Sequence, residues 1–234
     1  MLRHKLTQTD YFLIAANLLP VAGVWEWGWS PKEVFLVYCL ETILIGIFNL
    51  FKLGLVTAIR KEDTWYNGGG SSQQSGFLFI FFFLFHYGFF VAIQMGIFFS
   101  VSGIGAGHDI GFFNFFFRLP ELMSRNSWYL LGTFIFCYLY KTIIDFVVSG
   151  EYKTISMSRL MFQPYGRIFI QQFTVILGSA FLSFGAGKIF ILVFALIKIY
   201  FEILLDLNRY INRATKIIEE RQKLKDQRSG GSVQ

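Results

Sequence analysis

The chain has 234 residues, of which 54% are hydrophobic, 20% aromatic and only 15% charged, with 30 Phe and a net charge of +6. Soluble domains carry about 25% charged residues, so this composition excludes an ordinary cytosolic enzyme and a disordered segment. Two cysteines, Cys39 and Cys137, both inside apolar stretches, exclude a disulfide framework and a four-ligand zinc site.

Taken in chain order, the first apolar run spans Tyr11 to Trp27. It has no A-x-A-like cleavage site, so it is expected to be a retained membrane span rather than a signal peptide. Pro20, one turn after Asn17, predicts a kink, and Trp25, Trp27 and Trp29 suit a membrane interface. Ser30-Pro31-Lys32-Glu33 is a helix start with Ser30 as cap, opening a second span to Ile59. Arg60 to Gly76 is polar, contains Gly68-Gly69-Gly70-Ser71-Ser72, and predicts a flexible loop. Further spans follow from Phe77 to Ser100, Ser127 to Val148, Tyr165 to Phe184 and Lys188 to Leu207. Between the third and fourth, Val101 to Asn126 carries Phe112, Phe113, Phe115, Phe116 and Phe117 beside Arg118 and Glu121, the pattern of an interfacial helix. Gly46 and Gly54, and Gly88 and Gly96, predict close helix packing.

The expected fold is therefore all-α: a polytopic integral membrane protein with about six transmembrane helices in residues 1–207 and a basic cytoplasmic tail in 208–234, helical and then disordered. Arg3, Lys5, Arg60, Lys61, Lys153 and Arg159, with Arg209, Arg213, Lys216, Arg221, Lys223, Lys225 and Arg228 of the tail, fall on one side. Lys32, Arg118, Arg125 and Lys188 fall on the other. The positive-inside rule then places both termini in the cytoplasm of a cell (inner) membrane. The tail is expected to meet anionic lipid headgroups. Nucleic acid is not an expected partner, because no binding motif accompanies the charge. A homo-oligomer is possible on these patterns.

Eight ionisable residues remain inside spans: Glu41, Lys52, His86, Lys141, Asp145, Arg167, Lys198 and Glu202. Such groups are costly in hydrocarbon and are expected to face the bundle interior or water. Tyr38, Glu41, Asn49 and Lys52 share one face of the second span, a stripe roughly 16 Å long. Lys141 with Asp145, and Lys198 with Glu202, stand at i, i+4. Two readings stay open for these pairs: neutralisation within each helix, or a polar cavity open to the cytoplasm. For His86 the readings are a hydrogen-bonded neutral imidazole or a proton relay. Metal ligand is the third reading for His86, but only Glu41 and Asp145 could assist it, so no metal site is expected; the cofactor is unknown from the sequence. The even-numbered spans carry the charges, which suggests three successive hairpins.

Several motifs form a pattern across the spans: Asn17-Leu18-Leu19-Pro20, Tyr38-x-x-Glu41 with Gly46, Asn49 and Lys52, His86-Tyr87-Gly88-x-Phe90, Pro164-Tyr165-Gly166-Arg167 and Lys198-x3-Glu202. The pattern resembles a prokaryotic polytopic membrane protein family of unknown function, domain of unknown function 6498. That family usually shows Trp where Cys39 stands and Asp where Glu202 stands, and the resemblance implies no activity. The candidate intramembrane polar site comprises Tyr38, Glu41, Asn49, Lys52, His86, Tyr87, Lys141, Asp145, Arg167, Lys198 and Glu202. Three functions fit: a proton-linked transporter or conductance pathway for a small anionic solute, an intramembrane enzyme acting on a lipid or prenyl substrate, and a non-catalytic assembly or accessory subunit.

Overall fold

A computed structural model describes residues 8–67, 70–102 and 114–200, with single positions at 217, 220, 221 and 224. The rest of the tail, Glu202, Phe112 and Phe113 lie outside those residues. The chain is mostly helical. The six apolar runs form helices α1 (Gln8–Glu26), α2 (Pro31–Arg60), α3 (Gly76–Ser102), α5 (Arg125–Lys141), α7 (Tyr165–Ser183) and α8 (Gly187–Ile199), while the short α4 (Phe115–Leu122) and α6 (Met157–Phe162) lie in the connections. Among the described residues, three segments, α2, Gly76–Ser100 and Arg125–Val148, are long and apolar enough to cross a membrane.

The helix starts follow local chemistry. The Ser30 hydroxyl accepts from the Glu33 N–H and caps α2, with Pro31 at the first helical position. Ser124 precedes α5 without using its own side chain as a cap. Instead the Glu33 carboxylate reaches across and accepts from the Ser124 N–H and the Ser127 hydroxyl, both at 2.7 Å, so one acid satisfies donors at the start of a second helix. α1 runs through Pro20.

Two departures from the expected architecture matter. The polar segment after Arg60 is a β-hairpin, β1 (Glu62–Asn67) antiparallel to β2 (Gly70–Ser75), so the fold is not purely helical. Thr64, Trp65 and Tyr66 favour extended backbone, and the Trp65 ring anchors the hairpin against Phe79 and Phe162. The helices also do not form three successive hairpins: α7 packs on α8, but α1 packs mainly on α5 and α8, and α3 on α2 and α7. α2 is central, touching α3, α5, α6, α7 and α8, and its residues Val34 to Thr42 are buried without interruption.

Among the four glycines expected at close contacts, only Gly46 makes one: a Cβ there would meet the Tyr87 ring at 2.6 Å, whereas Gly54, Gly88 and Gly96 have open space. Helix α4 begins at Phe115, which is buried, and exposes Phe117.

Candidate functional site

The centre of the bundle holds an ion pair between helices far apart in sequence. Lys198 Nζ contacts Glu41 Oε2, and the two side chains are 1% and 0% exposed. The Tyr138 hydroxyl donates to the other carboxylate oxygen, Oε1, at 2.6 Å. Around the ammonium stand the rings of Tyr38 at 4.7 Å, Phe134 at 5.0 Å and Phe194 at 5.7 Å. Their π-faces favour a cation that water cannot reach. The pair thus joins α2 to α8, with α5 supplying Tyr138 and Phe134. The i, i+4 arithmetic pairs Lys198 with Glu202, which lies outside the described residues; the partner that the structure shows is Glu41, on a different helix.

A layer of neutral polar groups adjoins this pair. Thr42 donates to Gln171 Oε1 at 2.5 Å and accepts from Gln94 Nε2 at 3.2 Å. The Tyr87 hydroxyl donates to the Thr42 carbonyl at 2.7 Å. Gln171 Nε2 donates to the Tyr38 carbonyl at 3.4 Å. Gln94 and Gln171 did not figure among the expected site residues, since neutral amides carry no charge to mark them; their only signal is an amide inside an apolar run.

The other side of Tyr138 lines a cavity of about 80 Å³, formed with Ile45, Phe48, Asn49, Lys52, Lys141, Thr142, Gln163 and Pro164. Two features shape its wall. The helix that should continue from α6 into α7 is interrupted at Gln163–Pro164. Pro164 has no N–H, so the Leu160 carbonyl loses its i+4 donor, and Asn49 Nδ2 supplies the missing bond at 3.0 Å. Asn49 on α2 therefore completes the break in a neighbouring helix. The second feature is in α5, which passes at Thr142 into a π-helical segment, Thr142–Val148, a distortion common at functional positions. Lys52 Nζ lies 5.2 Å from the centre of the Phe146 ring within it.

The start of α6 is held by the hairpin and the end of α2. Asp63 accepts from the Met157 N–H at 2.6 Å, and Arg60 donates to the Ile155 carbonyl while pairing with Asp63 at 3.4 Å. The start of α6 is thereby tied to the end of α2.

Of the expected site, the structure gathers Tyr38, Glu41, Asn49, Lys52, Lys141 and Lys198 along the pair and cavity. Asp145 lies in the π-helical segment, half-buried, and Tyr87 fills the space beside Gly46. His86 is elsewhere: it is exposed on α3, with Nδ1 2.8 Å from the Tyr165 hydroxyl. An interior position was expected for it. The Arg167 side chain and Glu202 lie outside the described residues. Among the described residues, no cluster of three His, Cys, Asp or Glu could hold a metal.

The motif residues that meet here, Tyr38, Glu41, Asn49, Lys52, Pro164 and Lys198, come from three distant segments of the chain. The sequence profile described as Family of unknown function (DUF6498) matches residues 1–228. The chain belongs to this family. No curated protein and no solved structure matches it, so the DUF6498 chain is read from its own chemistry.

Proposed function

We propose that this DUF6498 protein is a multi-pass membrane protein of about six spans, both termini cytoplasmic, that carries a small anion together with a proton. The observation that carries the reading is the shared Tyr138: its hydroxyl holds Glu41, and the same residue lines the cavity together with Lys52 and Lys141. Discontinuous helices at substrate sites are a recurring device of secondary transporters, because interrupted backbone is tolerated in a membrane where it lines a cavity. The break at Pro164 supplies that device.

The roles follow from charge. Lys52 and Lys141 draw the anion, and Asn49, Thr142 and Gln163 offer it hydrogen bonds. Glu41 takes the proton. Protonation turns the carboxylate into a neutral acid, which weakens both its attraction for Lys198 and the bond from Tyr138. Tyr138 is then released to move the cavity wall. A proton and a monovalent anion crossing together move no net charge, which keeps the electrostatic cost of passage low. Lys198 stays inside its aromatic cage as the counter-charge and does not touch solute. The excess of Arg and Lys on one side supports a cytoplasmic half for the cavity.

Binding tests the site. Nitrate, chloride and bicarbonate, added to the purified protein at constant ionic strength, are expected to raise its melting temperature. The double variant Lys52→Gln/Lys141→Gln should lose that response while melting normally without anion. An equal shift in the double variant refutes the site.

A further inference from the structure

His86 and Tyr165 belong to two different motifs, yet they meet away from the cavity. His86 is the eleventh residue of α3, about 15 Å along it at 1.5 Å per residue, which is half the depth of a hydrocarbon core about 30 Å thick. It is exposed there. An imidazole facing lipid at that depth is anomalous, because polar side chains inside a membrane turn inward or find partners. Its surroundings are ordered. The ring stacks on Phe82 at 5.3 Å and 13°, and meets Phe90 edge-on at 5.2 Å. The Tyr165 hydroxyl lies 2.8 Å from Nδ1. The phenol is the stronger acid and is assigned as the donor, which puts the imidazole proton on Nε2, a nitrogen with no partner among the described residues. Phe85 and Phe89 beside it are 71% and 62% exposed. The outcome is a fixed donor within a wall of aromatic rings, at a depth that only a lipid-soluble molecule can reach.

We propose that this face of α3 binds the ring of a membrane-soluble quinone, one ring carbonyl accepting from His86 Nε2–H and the ring lying against the Phe82, Phe85 and Phe89 side chains. The chemistry selects the class. The ligand must be planar to stack, must carry an acceptor for a single outward donor, and must partition into hydrocarbon. Phospholipid tails lack the acceptor, and their headgroups lie at the wrong depth. The site rests on the reading of α3 as a membrane span and is separate from the anion cavity.

Trp65 provides a native reporter, since its ring centre lies 6.3 Å from that of Phe82 and quinones quench indole fluorescence. Protein in phosphatidylcholine nanodiscs is titrated with decylubiquinone. The expected result is saturable quenching on top of the linear loss from partitioning, with the saturable part removed in His86→Phe, which keeps a ring and deletes the donor, and at least tenfold weaker in Tyr165→Phe. In Trp65→Phe the saturable quench should vanish while decylubiquinone retained by the nanodiscs, counted after extraction, stays at the wild-type level. Linear quenching alone in the wild type, or undiminished saturation in His86→Phe, overturns the proposal. So does efficient disulfide cross-linking of a Phe85→Cys variant in nanodiscs loaded with two copies, because the face is then covered by a second chain. Failure to enter nanodiscs would refute the membrane reading itself, a result distinct from absent quenching.

Discussion

Removing one member of the Glu41–Lys198 pair is the most informative perturbation of the core. Both side chains are at or below 1% exposed, so neither can reach water when its partner is lost. Lys198→Met leaves a buried carboxylate held by the Tyr138 hydroxyl, and Glu41→Leu leaves an ammonium among three rings. Stripping one partner from a buried pair costs about 3–5 kcal/mol, whereas replacing both by apolar groups of similar volume is often neutral or stabilising. Independent sites would lose about 6–10 kcal/mol in the double variant, since effects without coupling add to within about 0.5 kcal/mol. The geometry predicts the opposite: Glu41→Leu/Lys198→Met is more stable than either single variant and close to the wild type. Reversible unfolding in mixed micelles, followed by tryptophan fluorescence, gives the four free energies. Additive losses would refute the claim that the two residues act as one unit.

Other consequences are equally direct. Asn49→Leu leaves the Leu160 carbonyl without its donor and should cost about 1–3 kcal/mol in the same unfolding assay. Pro164→Ala restores the backbone N–H and should recover most of that loss in the double variant, which a merely spatial role for Asn49 would not produce. Gly46→Val forces a side chain into the Tyr87 ring and should cost about 1–3 kcal/mol, while Gly54→Ala and Gly88→Ala, with open space at their Cβ positions, should raise stability by about 0.5–1 kcal/mol. Glu33→Ala removes the acceptor at the start of α5 and should cost about 1–2 kcal/mol, with faster hydrogen exchange confined to the first turn of that helix.

Much of this architecture is legible in the residues, because long apolar runs and a Ser-Pro cap depend only on local chemistry. The site was partly legible for the same reason: Glu41, Asn49 and Lys52 share a helical face whatever surrounds them. What could not be read is which helices meet. Periodicity pairs Lys198 with Glu202, which lies outside the described residues, and only packing brings α8 against α2 and sets Glu41, 157 positions away, on the Lys198 ammonium. The break at Pro164 was missed because α6 is too short to register as part of a span, and its repair by Asn49 is a contact across 111 positions. His86 misled because depth along a helix gives no rotation about the bundle. The hairpin after Arg60 was hidden by its glycines and serines, although Thr64, Trp65 and Tyr66 are good strand formers.

The central claim is that anion and proton move together through Glu41 and the cavity beside it. Liposomes containing the protein and a trapped pH-sensitive dye, given an inward nitrate gradient with the membrane potential clamped by valinomycin and potassium, test it most directly. The account predicts acidification of the interior at a rate that scales with protein, abolished in Glu41→Gln and at least tenfold slower in Lys52→Gln/Lys141→Gln. Acidification at the wild-type rate in Glu41→Gln, or none above empty liposomes for the wild type, would contradict it.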